Sequence, residues 1–228
     1  MNPTKIIRGL AALLFYIFAC VVCVYSVCME HFSTGGVSVA DKLLTAAVFI
    51  ISLGIATVIA CSAYALPEQR RLLKRVFFWA LFAYYVFILL EMLFFDVGFG
   101  RAISNRAGSW QEYLEASFNL NPLETISIYI QGWQRGYVNV GNMMINIAGN
   151  LLAFVPMGLL LPVLFPRMRR VLAFILVIAA IIVLVELMQM LTMTGSCDID
   201  DFILNMLGAL TAYALAKLPF IRRHIEAL

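Results

Sequence analysis

The chain has 228 residues, 63% of them hydrophobic and only 13% charged, with a formal net charge of +3. A soluble domain carries about 25% charged residues, so a mean hydropathy of +0.94 leaves too little polar surface to cover an aqueous fold. An ordinary cytosolic enzyme, a disordered chain, a collagen-like repeat and a secreted disulfide scaffold are excluded together, and a polytopic membrane protein of all-α class remains.

A bilayer core needs roughly 20 apolar residues per helical crossing, and six segments satisfy this. Gly9 to Met29 and Leu43 to Leu66 are free of charge. Val76 to Phe95 contains only Glu91, and a fourth crossing falls within the charge-free stretch Gly136 to Pro166. Val171 to Thr192 contains Glu186, and Ile199 to Leu218 opens with Asp200 and Asp201. Three spans are expected within residues 1–97, a long loop over 98–141, and three more spans within 142–228. The first hydrophobic run is longer than a signal-peptide core of about 7 to 15 residues and has no clear small-x-small cleavage site, so it reads as a retained anchor.

Lysine and arginine stay preferentially in the cytoplasm. Lys5 and Arg8, Arg70, Arg71, Lys74 and Arg75, Arg167, Arg169 and Arg170, and Lys217, Arg222 and Arg223 make 12 of the 16 basic residues. All fall at the N-terminus, in alternate loops or at the C-terminus, which predicts both termini in the cytoplasm. Acids follow the complement: Glu30, Asp41, Asp96, Glu112, Glu115, Glu124, Asp198, Asp200 and Asp201 are placed outside, against Glu68 and Glu226 inside. The basic balance therefore points to a membrane surface and membrane lipids as partners, with no nucleic acid.

Cys20, Cys23 and Cys28 lie in the first span and Cys61 in the second, where cysteine behaves as a small hydrophobe; Cys197 alone is expected at the outer surface. No structural disulfide is expected. The loop between the third and fourth spans is too long for a bare connection. Asn121 as N-cap, Pro122 at the first helical position and Glu124 in the first turn predict a helix. In it Leu123, Ile126, Ile130 and Trp133 form an apolar stripe, and Trp110, Tyr113, Trp133 and Tyr137 suit the headgroup level. Such an external amphipathic helix is either a lid packed for stability or one that gates a substrate.

Polar groups in hydrocarbon are costly unless paired or wetted. Asn142, Asn146 and Asn150 recur every fourth residue on one face of the fourth span, and Glu186 and Gln189 share a face of the fifth. Asp201, Asn205, Gly208 and Ala212 make a polar-then-small stripe on the sixth, with Asp198 just before it. At about 1.5 Å per residue, Glu186 lies roughly 9 Å below its outer helix end, and Asn146, Asn150 and Asn205 lie about 6 to 12 Å below theirs. Glu91 falls at a similar level. One acidic, amide-rich pocket in the outer leaflet is the functional expectation. The structural alternatives are amides that bond neighbouring helices together, and Asp198 and Asp200 as caps of the helix they begin. Glu186 is the hardest to assign a structural role. No cofactor motif and no metal centre is expected: there is no nucleophile and base pair, no phosphate loop and no zinc spacing, and His31 and His224 lie far from the acids.

The run Asn142-Met-Met-Ile-Asn146-Ile-Ala-Gly149-Asn150-Leu-Leu-Ala-Phe154-Val-Pro156-Met-Gly158, followed by Glu186-Leu-Met-Gln189 and Asp198-Ile-Asp-Asp201-Phe-Ile-Leu-Asn205-Met-Leu-Gly208, closely resembles the VanZ-like family. Asn119-Leu120-Asn121-Pro122 resembles its upstream element, so that the likeness covers about Phe118 to Tyr213. Many members carry an arginine where this chain has Gly195-Ser196-Cys197. The resemblance implies a multi-pass protein of the bacterial cell membrane whose namesake gives low-level resistance to teicoplanin, a lipidated glycopeptide. Its motif residues map onto Asn146, Asn150, Pro156, Glu186, Gln189, Asp198, Asp201, Asn205 and Gly208. Three functions then stand side by side. In the first the pocket engages a lipid-linked cell-wall precursor or a lipoglycopeptide tail; in the second the protein is a membrane-embedded enzyme with Glu186 and Asp201 as acid and base; in the third it is a proton-coupled transporter, for which no internal repeat is seen.

Overall fold

The computed structural model describes residues 3–32, 37–63, 66–95, 111–113 and 117–226. Six helices are long and apolar enough to cross a membrane: Pro3–Met29, Val39–Ala63, Pro67–Phe94, Met143–Leu164, Val171–Leu191 and Ile199–Ala216. Among the described residues the fold is all-α apart from one pair of two-residue strands. It divides at Phe87/Ile88 into two compact units.

The first unit holds α1 (Pro3–Phe32), α2 (Val39–Ala63) and the first part of α3 (Pro67–Phe94). Helices α1 and α2 pack along small residues, Ala12, Ala19, Ala56 and Ala60 all being buried. Lipid tails are as apolar as leucine, so close backbone approach and side-chain hydrogen bonds hold such a pair. Tyr16 and Thr57 supply one between their hydroxyls at 3.2 Å. The Tyr84 hydroxyl donates to Ser26 Oγ at 3.3 Å, and its ring stacks on Phe49 at 4.1 Å. Ser38 caps α2, its Oγ accepting from Asp41 N at 3.1 Å.

The second unit continues from the end of α3 through β1 (Phe118–Asn119), α4 (Glu124–Gln134), α5 (Val140–Ala153), α6 (Val155–Leu164), a 3-10 turn (Pro166–Arg169), α7 (Val171–Leu191), β2 (Cys197–Asp198), α8 (Ile199–Ala216) and α9 (Pro219–Glu226). The fourth crossing is thus two helices broken at Phe154, whose φ of −98° and ψ of 2° interrupt the spiral. Pro156 has no N–H to give the preceding turn, and Phe154 O restarts the ladder by accepting from Met157 N and Gly158 N at 3.1 and 3.3 Å. Helices α5 and α6 run beside α8 in the same direction. A Cβ on Gly208 would collide with Leu151 O, and one on Gly158 with Ala209 O, so both glycines are required by backbone contact.

The strands pair in parallel, Phe118 opposite Cys197 and Asn119 opposite Asp198, with Cys197 N donating to Ser117 O at 2.8 Å. This pair ties the loop before the fourth crossing to the turn before the sixth. Tyr113 reinforces the junction through a 2.7 Å hydrogen bond from its hydroxyl to Gly195 O. Tyr113 is therefore a buried strut. Trp133 and Tyr137 are 47% and 84% exposed, and Trp110 lies outside the described residues.

Helix α4 starts later than the sequence predicts. Leu123 precedes it in the left-handed conformation (φ 67°), and Glu124 is the first helical residue. Asn121 does not act as N-cap; its side-chain amide donates to Glu124 Oε2 at 2.7 Å. Asp200 takes the capping role, accepting from Leu123 N at 2.5 Å on Oδ1 and from Ile126 N at 3.0 Å on Oδ2.

Candidate functional site

Glu186 of α7 and Asn150 of α5 both reach the start of α8, where β2 enters it. Asp198 caps α8, its Oδ1 accepting from Asp200 N at 2.8 Å. Its other oxygen accepts from the Thr125 hydroxyl at 2.5 Å, and Thr125 Oγ1 accepts from the Asn119 side-chain amide at 3.1 Å. Asp198 and Asp200 are 5% and 0% exposed. Both carboxylates are thus consumed in joining α8, α4 and β1. The expectation that Asp200 caps its own helix is corrected: it caps α4, whose first N–H groups have no intrahelical partner.

Below this frame lies a second set of groups. Glu186, buried on α7, reaches Asp198 N through Oε2 at 3.5 Å. Gln189, one turn on, donates to Leu93 O at the end of α3 at 2.9 Å. That bond brings the end of the third crossing, which carries Glu91, to α7. The Asn150 side-chain amide donates to Asp201 Oδ1, joining α5 to α8. Asn146 lies one turn before Asn150 and is half-buried. Asn142 is helical, but its side chain lies outside the described residues.

Asn205 follows Asp201 by one turn and is 2% exposed. Its Oδ1 accepts no hydrogen bond; among the described residues only Ser117 Oγ shares that condition. A buried polar atom without a partner costs about 1 to 3 kcal/mol, so a native chain that keeps one invites a functional reason. The stripe on α8 is therefore divided by role. Asp201 presents its carboxylate to Asn150 of α5, Asn205 is buried one turn on, and Gly208 and Ala212 let α5 and α6 approach.

Among the described residues no three His, Cys, Asp or Glu side chains gather as a metal-holding set. Cys197, on β2 and outside the crossing helices, has its thiol pushed above the usual range, first by burial and then by the charges of Glu186 and Asp198. It is a poor thiolate at neutral pH.

A sequence model of the VanZ/LLP1 family matches residues 82–222, more than half of the chain. The chain belongs to the VanZ/LLP1 family. The match begins within α3, upstream of the Phe118 to Tyr213 likeness noted from the motifs, and so includes the Leu93 carbonyl that Gln189 holds. No curated protein and no solved structure matches this chain.

The polar residues within the matched range form two physical layers. Asn119, Thr125, Asp198 and Asp200 build the frame; Asn150, Glu186, Asp201 and Asn205 lie within the crossing helices beneath it. Sequence reasoning missed Thr125 and the true partner of Asp200. Each bond spans more than 70 positions of the chain, and no local spacing signals it. The signal available was the short run Asn119 to Pro122, whose amides belong to a turn that needs an outside anchor.

Proposed function

We propose that this VanZ/LLP1 membrane protein sits in the bacterial cell membrane with both termini in the cytoplasm. On this reading the Glu186, Asp201, Asn150 and Asn205 cluster opens toward the outer leaflet. The alternation of basic and acidic loops supports that orientation. There the cluster engages a lipid-linked cell-wall precursor or the acyl tail of a lipoglycopeptide, and so contributes to teicoplanin-type resistance or to envelope homeostasis. Asn146 and Gln189 orient its walls, and Asp198 fixes its rim. The observation that carries this reading is the buried, unsatisfied Asn205 Oδ1 one turn from the Asn150–Asp201 pair, inside helices that otherwise pack on small residues.

The test is drug susceptibility of a sensitive bacterial host expressing wild type, Glu186→Gln or Asp201→Asn, with membrane levels of each protein measured. A tail-dependent mechanism protects against teicoplanin far more than against vancomycin, which lacks the tail, and both substitutions abolish protection at normal protein levels. Equal protection against both drugs, or none from wild type, removes the basis for this reading.

A second reading is an enzyme acting on a lipid-linked envelope precursor. The two carboxylates Glu186, which reaches the backbone entering α8, and Asp201, on its first turn, favour it as an acid and base pair. It requires that precursor turnover by purified protein vanish in Glu186→Gln.

A further inference from the structure

At the far end of α8 from the strand pair lies a cavity of about 140 Å³, lined by Pro162, Arg169, Tyr213, Lys217, Arg222 and Ile225. A single water needs roughly 10–15 Å³ by the same measure, so a tetrahedral oxyanion fits with room for solvent. Three of the lining residues are cationic and none is acidic. Like charges held round one space repel, and such a site is stabilised by an anion between them.

Two of the three, Arg169 and Lys217, are held in place by neutral groups. Arg169 Nε donates to Pro162 O at 3.0 Å and Nη2 to Ile225 O at 3.2 Å. A guanidinium has five N–H donors, so among the described residues three remain uncommitted while the plane is fixed. Lys217 Nζ donates to Arg169 O at 2.5 Å and lies 5.1 Å from the centre of the Tyr213 ring, which leaves two of its three donors. Tyr213 is locked by its own hydroxyl bond to Arg169 O at 2.9 Å and by stacking on Phe174 at 4.2 Å. A fixed guanidinium fork beside an ammonium is a donor set matched to phosphate oxygens.

The position in the membrane narrows the ligand. Arg169 lies between the end of one crossing at Leu164 and the start of the next at Val171, and Lys217 directly follows the crossing that ends at Ala216. Those ends mark the level of lipid phosphates, where basic pockets between helices bind anionic headgroups. Amphipathic α9 closes the cavity with buried Ile225 and leaves Phe220 75% exposed. We infer that Arg169, Lys217 and Arg222 form a second binding site, separate from the acidic cluster, for a phosphate-bearing anion at the membrane boundary.

The test is native mass spectrometry of the delipidated, full-length protein in detergent, titrated separately with phosphatidylglycerol, phosphatidylcholine and inorganic phosphate. Wild type should retain one ligand whose occupancy falls about tenfold in Lys217→Gln/Arg222→Gln. Arg70→Gln/Arg71→Gln, with the same loss of charge elsewhere, should retain it. A substitution-sensitive phosphatidylglycerol adduct assigns the site to an anionic lipid headgroup, and one seen only with inorganic phosphate assigns it to the free ion. Binding of phosphatidylcholine alone, equal loss in both double variants, or no substitution-sensitive adduct overturns the proposal. Arg169 is left intact because it also ties α6 to α9, and the melting temperature of each variant identifies any that fails to fold.

Discussion

Asp200 accepts the backbone N–H of Ile126 at 3.0 Å and, through its other oxygen, that of Leu123 at 2.5 Å. A carboxylate on the first turn of the last crossing is thereby the cap of a helix whose capped N–H groups lie 74 and 77 positions earlier. Asp200→Ala leaves those N–H groups without their acceptor and should lower stability by about 2 kcal/mol. Thermal unfolding in detergent reads this as a lower melting temperature. An unchanged melting temperature would show that the cap contributes nothing.

Gly208 and Gly54 make a matched pair of probes. Gly208→Ala drives a methyl group into the Leu151 carbonyl, whereas the nearest atom to a Cβ on Gly54 is Phe77 Cε2 at 4.0 Å. Backbone yields far less readily than a side chain, so Gly208→Ala should cost about 3 kcal/mol or prevent accumulation. Gly54→Ala should be neutral or slightly stabilising. Protein levels and melting temperatures of the two variants decide it.

Asn205→Leu separates stability from function. It replaces a buried unsatisfied oxygen by an apolar group of similar size, which should leave stability unchanged or raise it by about 1 kcal/mol. If Asn205 holds a ligand, protection against teicoplanin is lost in the same variant. A less stable Asn205→Leu protein would mean that its amide is structural.

Labelling of Cys197 with a maleimide should depend on pH in a known direction. Burial and the nearby carboxylates raise its pKa, so the thiolate fraction at neutral pH is below that of a free cysteine and labelling accelerates only at alkaline pH. Glu186→Gln removes one of those charges and should shift the labelling profile toward lower pH. Rates measured on a variant keeping only Cys197, with and without Glu186→Gln, test both statements.

The membrane crossings were legible because charge is so rare. The fifth and sixth were predicted as Val171 to Thr192 and Ile199 to Leu218, against helices Val171–Leu191 and Ile199–Ala216. The third was predicted from Val76 but begins at Pro67, since its first turns carry Arg70, Arg71, Lys74 and Arg75 and a hydropathy criterion stops where the charges start. The break at Phe154 had a signal in Pro156 that the apolar run concealed. Asn150, Asp201 and Asn205 stood out as polar residues at helical spacing. The capping of α8 by Asp198 was legible too, whereas the roles of Thr125 and Asp200 were not, because a carboxylate near a helix start satisfies the local rule for a cap whichever helix it serves.

The parallel pairing of Asn119 with Asp198, and the capping of α4 by Asp200, also set an order of assembly. A ribosome delivers the chain from its N-terminus, so Glu124–Gln134 leaves the tunnel long before its acceptors exist. A nascent chain that stops short of Cys197 should leave that segment protease-sensitive, and one that includes Asp200 should protect it.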